Sequence, residues 1–154
     1  MPLHGLQACL RAGTYRHEGR TGQSAVRPDW DDYFLSICTT IATRAACTRR
    51  QHGAVIVKNN RIIATGYNGA PGGRVECTDG GCPRGQLEYG ELASLTGGYD
   101  DPLSPGYCVS VHAEANALLH AGREAHEATI YITGEPCHGC SKLIAAAGIS
   151  RIVY

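Results

Sequence analysis

The chain has 154 residues, a length that fits one domain with a substantial buried core. Its 14 basic and 14 acidic residues cancel, so neither a nucleic-acid polymer nor a membrane surface is expected as a partner. No apolar run reaches the roughly 18–20 residues of a membrane span, and charged residues interrupt the N-terminal segment where a signal peptide needs an apolar core. We therefore expect a cytoplasmic protein whose closely spaced cysteines bind metal in preference to forming disulfides.

The first predicted helix follows a segment without regular periodicity. Residues 1–26 are predicted to be a flexible N-terminal extension, and residues 27–154 a single domain. Asp29 is the expected N-cap of the helix. The apolar residues that follow recur at helical spacing and predict one buried face, made of Trp30, Tyr33, Phe34, Ile37, Cys38, Ile41, Ala42 and Ala45.

A hairpin and a long loop are predicted next. Two runs rich in β-branched residues, 53–57 and 62–66, surround an Asn-Asn pair that tolerates positive φ. Their nearly continuous apolar character predicts strands that are covered on both faces. Residues 71–110 form a Gly- and Pro-rich stretch with a short helix predicted over 86–94, and a loop of that length in a compact domain is usually functional or tied down by additional contacts.

Regular structure is predicted to return at His112. The pattern predicts a helix over 112–121, a strand over 128–133, a helix over 137–147 and a strand over 149–154. The last strand–helix–strand unit should be parallel and right-handed. The element order therefore predicts an α/β fold, a three-layer α/β/α sandwich around a mixed sheet.

Two short motifs stand at predicted helix starts, H-A-E at 112–114 and P-C-H-G-C at 136–140. Cys137 and Cys140 are three residues apart, so both sulfurs lie on one side of the first turn, where the helix dipole favours thiolates. His112 adds a neutral ring nitrogen. Two thiolates and one imidazole are the protein ligands of a catalytic zinc that keeps its fourth position open.

Glu114 is predicted to be the catalytic acid and base. It lies two residues beyond the histidine, where it is better placed beside an activated water than on the metal. H-x-E followed by P-C-x-x-C is the known signature of zinc-dependent nucleobase deaminases. The alternative is a structural zinc site in which Glu114 is an ordinary capping carboxylate.

Two further segments, R-R-Q-H-G-A-V-I-V at 49–57 and G-Y-N-G-A-P at 66–71, narrow the assignment. Together with the two motifs, they resemble the deoxycytidylate (dCMP) deaminase branch of the cytidine deaminase superfamily over about residues 29–154. The resemblance implies a cytidine deaminase-like fold and hydrolysis of dCMP to dUMP and ammonia, which supplies dUMP for thymidylate synthesis. It also implies a homo-oligomer with dCTP and dTTP as effectors.

The resemblance also implies a role for each matching residue. These roles are zinc binding by His112, Cys137 and Cys140, proton transfer by Glu114, a sugar contact from Asn68 and a backbone contact from Ala113 to the pyrimidine carbonyl. From its sequence context alone, Asn68 would be an ordinary turn residue. Arg49, Arg50, Arg74 and Lys142 are candidates for holding the 5′-phosphate.

The long loop contains three more cysteines, Cys77, Cys82 and Cys108. With a fourth ligand they would form a closed structural zinc site, and some dCMP deaminases carry a second zinc near this region. His52 and His138 are the candidates for the fourth ligand. Free thiols are an equal alternative.

Two expectations remain open at this point. The chain stops at Tyr154, where dCMP deaminases usually continue with a further helix and strand, so C-terminal elements of the fold are expected to be missing. The substrate could also be free cytidine, guanine or a tRNA base. A non-catalytic nucleotide-binding module is the alternative from another functional class, and the intact Glu114 argues against it.

Overall fold

The computed structural model describes residues 27–95 and 98–154, so the predicted N-terminal extension, residues 1–26, lies outside the described residues. The described chain contains five α-helices, four β-strands and two short 3-10 turns. The helices are α1 (Trp30–Ala42), α2 (Pro83–Gln86), α3 (Tyr89–Ser94), α4 (Ala113–Ala121) and α5 (His138–Ala146). The strands are β1 (Gly53–Lys58), β2 (Arg61–Tyr67), β3 (Thr129–Ile132) and β4 (Arg151–Val153), and the 3-10 turns are Cys77–Asp79 and Gly122–Ala125.

The four strands form one mixed sheet in the order β2-β1-β3-β4. β1 is antiparallel to both of its neighbours, and Val55 pairs with Thr65 on one side and with Tyr131 on the other. β3 and β4 are parallel, as predicted for the last strand–helix–strand unit. Asn59 and Asn60 both have positive φ, which confirms the predicted hairpin turn.

Helices cover both faces of the sheet, which confirms the three-layer α/β/α sandwich. On one face, α1 contributes Phe34 and Cys38 to a core with residues of β1 and β3. On the other face, α4 and α5 pack over the sheet, and Ile144 of α5 joins this second core. The buried residues of the second core are Ala54, Ile56, Ala64, Ala113, Ala117, Ala121, Ala125, Ala128, Ile130, Ile132 and Ile144.

The predicted buried face of α1 was partly wrong. Phe34, Cys38 and Ala42 are buried, but Trp30 and Tyr33 are more than two-fifths exposed. These two rings lie in the first turns of the helix and pack against each other and against Phe34, with Trp30 stacked at 5.6 Å. The helix also ends at Ala42, three residues earlier than the apolar pattern suggested.

The prediction for β2 was also wrong, because this strand is covered on one face only. Its burial alternates, with Ala64 and Gly66 buried and Thr65 and Tyr67 exposed. β2 is the edge strand of the sheet, and α4 packs over it while α1 lies mainly over β1 and β3. Apolar residues on the outer face of β2 therefore remain in contact with solvent.

α4 approaches β2 very closely at Gly66. A Cβ at this position would lie 2.2 Å from the carbonyl oxygen of Ala113 and 2.5 Å from the backbone nitrogen of Ala117. Real Cβ atoms do not approach backbone atoms so closely, so only glycine allows the helix to lie at this distance from the strand. The first turn of α4 carries the predicted catalytic residues, and Gly66 therefore fixes their height above the sheet.

An ionic cluster at the other face joins the start of α1 to the sheet. The carboxylate of Asp31 accepts hydrogen bonds from the Arg151 guanidinium, at 2.8 Å to Nη1, and from the Tyr131 hydroxyl at 2.8 Å. These hydrogen bonds lower the pKa of Asp31 to about 2, with that from Arg151 having the larger effect.

In the described residues, no helix has the length and apolar character needed to span a membrane.

Candidate active site

The two sequence motifs meet because α4 and α5 begin next to each other. His112 and Cys137 have extended backbone conformations and occupy the N-cap positions of α4 and α5, so each helix begins one residue later than predicted. The Cys137 sulfur accepts a hydrogen bond from the backbone nitrogen of Cys140 at 3.4 Å, the usual N-cap to N3 contact. The motif spacing therefore stabilises the helix start and also orients both sulfurs to one side.

The three predicted zinc ligands form a compact donor group. The Nδ1 atom of His112 lies 3.5 Å from the Cys137 sulfur and 3.4 Å from the Cys140 sulfur. Zinc–sulfur and zinc–nitrogen bonds of about 2.3 and 2.0 Å at a tetrahedral angle place sulfur and nitrogen roughly 3.5 Å apart. Within residues 27–95 and 98–154, this is the one group of three or more such donors that all lie within 4.8 Å of one another. The side chains therefore fit a zinc ion.

The electrostatics of this group favour a cation. Burial is the main cause that raises the pKa of the Cys140 thiol, and the negative charge of the nearby Glu114 carboxylate adds to it. A thiolate is costly in such a place unless a positive charge compensates it. A zinc ion held by the two sulfurs supplies that charge, and coordinating thiols lose their proton.

Glu114 lies beside the donor group and is not one of its members. Glu114 is the second residue of α4 and is buried, with 6% of its surface exposed to solvent. It lines the same cleft as His112 and Cys137. A carboxylate in this position can take a proton from water and pass it to a bound substrate. This placement is the one predicted for the proton shuttle.

The donor group opens into a cleft of about 900 Å³, large enough for a small-molecule ligand. Ala113 and Asn68, the two predicted substrate contacts, both line it. The Asn68 side chain also braces the cleft wall, because its Oδ1 accepts from the His52 backbone nitrogen at 2.7 Å and its Nδ2 donates to the Arg50 carbonyl at 2.9 Å. One amide hydrogen of Asn68 is left over from these bonds.

Tyr99 is a cleft residue that the sequence reasoning missed. Its ring stacks on that of His112, with centroids 5.8 Å apart and an angle of 18° between the planes. A hydrogen bond with Cys137 is the main cause that raises the pKa of Tyr99 to about 12. Tyr99 lies in an irregular Gly- and Asp-rich segment, so no periodic signal in the sequence indicated that it would reach the ligand group.

The sequence of residues 28–154 matches the family described as the cytidine and deoxycytidylate deaminase zinc-binding region. The chain belongs to this family. It is 52% identical to the deoxycytidylate deaminase of Mycobacterium phage D29 over 83% of this chain and 95% of that protein. It is 44% identical to the deoxycytidylate deaminase of Schizosaccharomyces pombe over 83% of this chain but only 37% of that protein.

A solved structure of a similar protein shows the same fold as this chain. The dCMP deaminase of cyanophage S-TIM5, crystallised in complex with dCMP and dUMP, superposes with a TM-score of 0.59 at 27% sequence identity. The match covers 82% of this chain and 81% of that one. The cytidine deaminase-like fold predicted from the sequence is therefore confirmed, and the chain is a deaminase with a zinc-binding region.

The four basic residues considered for phosphate binding separate into two pairs in this deaminase. Arg49 and Arg50 line the cleft, whereas Arg74 and Lys142 are exposed and do not line it. The Arg49 guanidinium donates to the carbonyl of Arg84 at 3.0 and 2.8 Å and to that of Leu87, and it lies 4.8 Å from the ring centroid of Tyr89. The Arg49 guanidinium therefore stabilises the loop around α2 through these contacts.

Arg50 and Arg84 are the other cleft-lining arginines in the described part of the chain. Arg50 is exposed, and Arg84 donates a hydrogen bond to the Gly106 carbonyl at 3.3 Å. Arg84 was not among the predicted residues. It follows a proline at the start of α2, where a lone arginine is indistinguishable from a solvated surface charge.

The loop cysteines lie near a fourth cysteine that was not predicted to join them. Cys77 and Cys82 are buried. Burial acts to raise the pKa of the Cys77 thiol, but hydrogen bonds with Thr48, Cys82 and Cys47 together lower it. Burial raises the pKa of Cys108 to about 11, with further contributions from Cys82 and Cys47. The sulfurs do not form as compact a group as the His112 site in the described chain.

Neither predicted fourth ligand belongs to this cysteine cluster. His138 is exposed at the start of α5, and His52 lies at the cleft with its ring next to Thr133. Cys47 lies near the other sulfurs, since its thiol contributes to the pKa shifts of both Cys77 and Cys108. It lies in the turn after α1, where its sequence spacing from the other three cysteines gave no indication of proximity.

Proposed function

We propose that this chain hydrolyses dCMP to dUMP and ammonia and so supplies dUMP for thymidylate synthesis. The observation that carries the proposal is the convergence of His112 Nδ1 and the two cysteine sulfurs beside Glu114 in an open cleft. The substrate follows from the relatives named deoxycytidylate deaminase and from the dCMP and dUMP in the S-TIM5 complex.

His112, Cys137 and Cys140 would hold the catalytic zinc. When bound there, zinc supplies a Lewis acid that lowers the pKa of water into the neutral range. Glu114 accepts the proton that the attacking water loses as its oxygen bonds to C4 of cytosine. Glu114 delivers this proton to N3. It then accepts the second proton of the same water, now on the new C4 hydroxyl, and delivers it to the departing amine. The C4–N4 bond breaks, the C4 carbonyl of dUMP forms, and ammonia leaves without any oxidant or reductant.

Two other residues orient the substrate in this proposal. The backbone of Ala113, at the start of α4, holds the pyrimidine carbonyl beside the proton shuttle. Asn68 uses one N–H to hold the Arg50 carbonyl, so its second N–H is the donor for a sugar oxygen. Because these groups sit on the ends of regular elements, they hold the cytosine ring at a fixed distance from Glu114.

Two variants and a control test the catalytic assignment. Glu114→Gln should retain zinc and lose turnover, since the amide cannot accept a proton. Cys137→Ala should lose one equivalent of zinc together with turnover. His138→Gln changes an exposed residue between the two cysteines and should keep both. Zinc is measured by inductively coupled plasma mass spectrometry and turnover by ammonia release, and unchanged turnover in Glu114→Gln would refute the assignment.

The substrate is tested with a panel of nucleotides. Ammonia release from dCMP, CMP, deoxycytidine, dCTP and guanine is compared at equal enzyme concentration. Preferred turnover of dCMP supports the proposal. Preferred turnover of another compound keeps the chemistry and overturns the substrate, and failure to release ammonia from any of them favours the nucleotide-binding module.

We also propose a second, structural zinc site formed by Cys77, Cys82 and Cys108, with Cys47 as the fourth ligand. The thiols of Cys82 and Cys47 both contribute to the pKa shifts of Cys77 and of Cys108, so the four lie near one another, and four cysteines are a common closed zinc set. Cys82→Ala should then lower the zinc content of the pure protein by one equivalent. Cys38→Ala, in the core between α1 and the sheet, should not lower it. Equal zinc content in both variants would favour free thiols.

Assembly, regulation and location are proposed from the resemblance alone. We propose a cytoplasmic homo-oligomer activated by dCTP and inhibited by dTTP, built from a deaminase domain of residues 27–154 after an extension of residues 1–26. Analytical ultracentrifugation tests the assembly, and dCMP saturation curves with each triphosphate test the effectors. A monomer with unchanged curves would overturn both parts.

A further inference from the structure

His52 is a cleft residue to which neither the motifs nor the mechanism gives a role. It is the last residue before β1, it is half-buried, and it lines the cleft together with Arg50, Asn68 and Glu114. Its backbone nitrogen donates to Asn68 Oδ1 at 2.7 Å. The backbone of His52 is therefore fixed beside a residue proposed to contact the sugar.

The imidazole ring is oriented by Thr133 at the end of β3. The Nδ1 atom of His52 lies 3.2 Å from the Thr133 hydroxyl oxygen, which also accepts the backbone N–H of Gly53 at 3.1 Å. The hydroxyl hydrogen then needs an acceptor, and Nδ1 of the neutral ring provides one. With the hydroxyl hydrogen donated to Nδ1, the ring hydrogen of the neutral imidazole resides on Nε2. In a protonated ring Nε2 would carry a hydrogen as well.

The Nε2–H donor has no partner in the described part of the chain, residues 27–95 and 98–154, where the ring bonds only through Nδ1. On one side of the ring lies Gly134, where a Cβ would be in ordinary van der Waals contact with the imidazole, 3.7 Å from Cε1 of His52. Both residues line the cleft. A fixed donor facing a ligand cleft has to be satisfied by water or by a ligand acceptor.

We propose that the Nε2–H of His52 donates a hydrogen bond to a sugar–phosphate oxygen of the nucleotide substrate. This inference rests on the proposed deamination of dCMP. The base end of the substrate is already served by Glu114 and Ala113, and His52 adjoins Asn68 and Arg50 instead. The strongest acceptors that remain are the oxygens of the 5′-phosphate and of the 3′-hydroxyl, since the ether oxygen of the sugar ring is a weaker acceptor. Separate substrates distinguish these two sources.

His52→Phe removes the donor and keeps a planar ring, and His52→Gln restores an N–H at a similar reach. His52→Phe should lower kcat/KM for dCMP by about 10- to 100-fold if the lost partner is the charged phosphate, or about 2- to 10-fold if it is the hydroxyl. His52→Gln should recover most of the loss. Zinc content and thermal unfolding of each variant are measured alongside to show that the fold is retained.

Two further substrates identify the acceptor. If the phosphate is the partner, His52→Phe and wild type should have equal kcat/KM for deoxycytidine, which lacks a phosphate. If the 3′-hydroxyl is the partner, the two proteins should be equal on 2′,3′-dideoxycytidine monophosphate. An equal loss on all three substrates would mean that His52 acts on the cleft wall alone, and no loss on dCMP would mean no contact; either result overturns the proposal.

Wild-type turnover of dCMP separates this inference from the function on which it rests. If wild type releases no ammonia from dCMP, the proposed function fails, and the affinities of wild type and His52→Phe for dUMP are compared by calorimetry. Equal affinities would then overturn the role of His52. Weaker binding by the variant that His52→Gln reverses would support it.

Discussion

Gly66 is the position at which a single methyl group should do most damage to the active site without touching it. The added Cβ of Gly66→Ala would lie 2.2 Å from the Ala113 carbonyl oxygen, whereas ordinary contacts begin near 3.4 Å. Strand and helix must therefore separate by about 1 Å, and because both contacts are to backbone atoms, no side-chain rotation relieves them. We expect the free energy of unfolding to fall by about 3 kcal/mol, near the upper end of the range usual for overpacked cores.

The consequence for activity follows from which helix moves. α4 begins at Ala113 and carries Glu114, while its N-cap is His112, one of the three proposed zinc ligands. A misplacement of about 1 Å at reacting groups costs on the order of a hundredfold in rate, so kcat/KM should fall by that order even where the variant is folded. The melting temperature should fall by roughly 6–12 °C for a chain of this size.

Differential scanning calorimetry and ammonia release at a temperature well below the transition measure the two effects. Gly72→Ala is the matched control, because a Cβ there meets no atom within 4 Å. It should leave both the melting temperature and the rate of ammonia release unchanged. If Gly66→Ala and Gly72→Ala melt at the same temperature, α4 does not lie close enough to β2 for a Cβ at residue 66 to clash with it.

Three further predictions address the ionic cluster, the core and the cleft. The pKa of Asp31 is lowered to about 2 in the folded protein, compared with about 3.9 in the unfolded chain. The Asp31 carboxylate therefore stabilises the fold above about pH 3.9 and loses this effect as the pH falls towards 2. The difference in urea midpoint between wild type and Asp31→Asn should accordingly shrink from about pH 7 to about pH 3. Ile144→Ala, at a residue 1% exposed, should cost about 2–5 kcal/mol in urea unfolding. Leu143→Ala, half exposed, should stay within about 0.5 kcal/mol. Arg50→Ala should raise KM for dCMP about tenfold or more, while Lys142→Ala, away from the cleft, should leave KM unchanged.

The meeting of the His112 donor group with Glu114 could be predicted from the sequence because each motif is local. Cys137 and Cys140 lie within one helical turn, and His112 and Glu114 also lie within one turn. Spacing alone therefore sets the direction of each pair. Only the meeting of the two turns depends on the tertiary fold, and the alternation of strands and helices was enough to predict it.

The loop between β2 and α4 could not be predicted in the same way. It contains two helices of only four and six residues and a 3-10 turn, and these have no sustained periodicity to detect. Their positions depend on non-local contacts, such as the hydrogen bonds from Arg49 to the carbonyls of Arg84 and Leu87. Tyr99 is placed by the same loop, which is why its contact with His112 was missed.

The position of His52 shows what the strand register adds to the motifs. β1 runs antiparallel to β3, so the start of one strand adjoins the end of the other, and Ala54 pairs with Ile132. This register places His52 beside Thr133, immediately before the segment that leads to Cys137. A slip of one residue would turn every side chain of β1 to the opposite face and remove His52 from the cleft. The sequence contains the histidine, but only the register makes it a residue of the cleft.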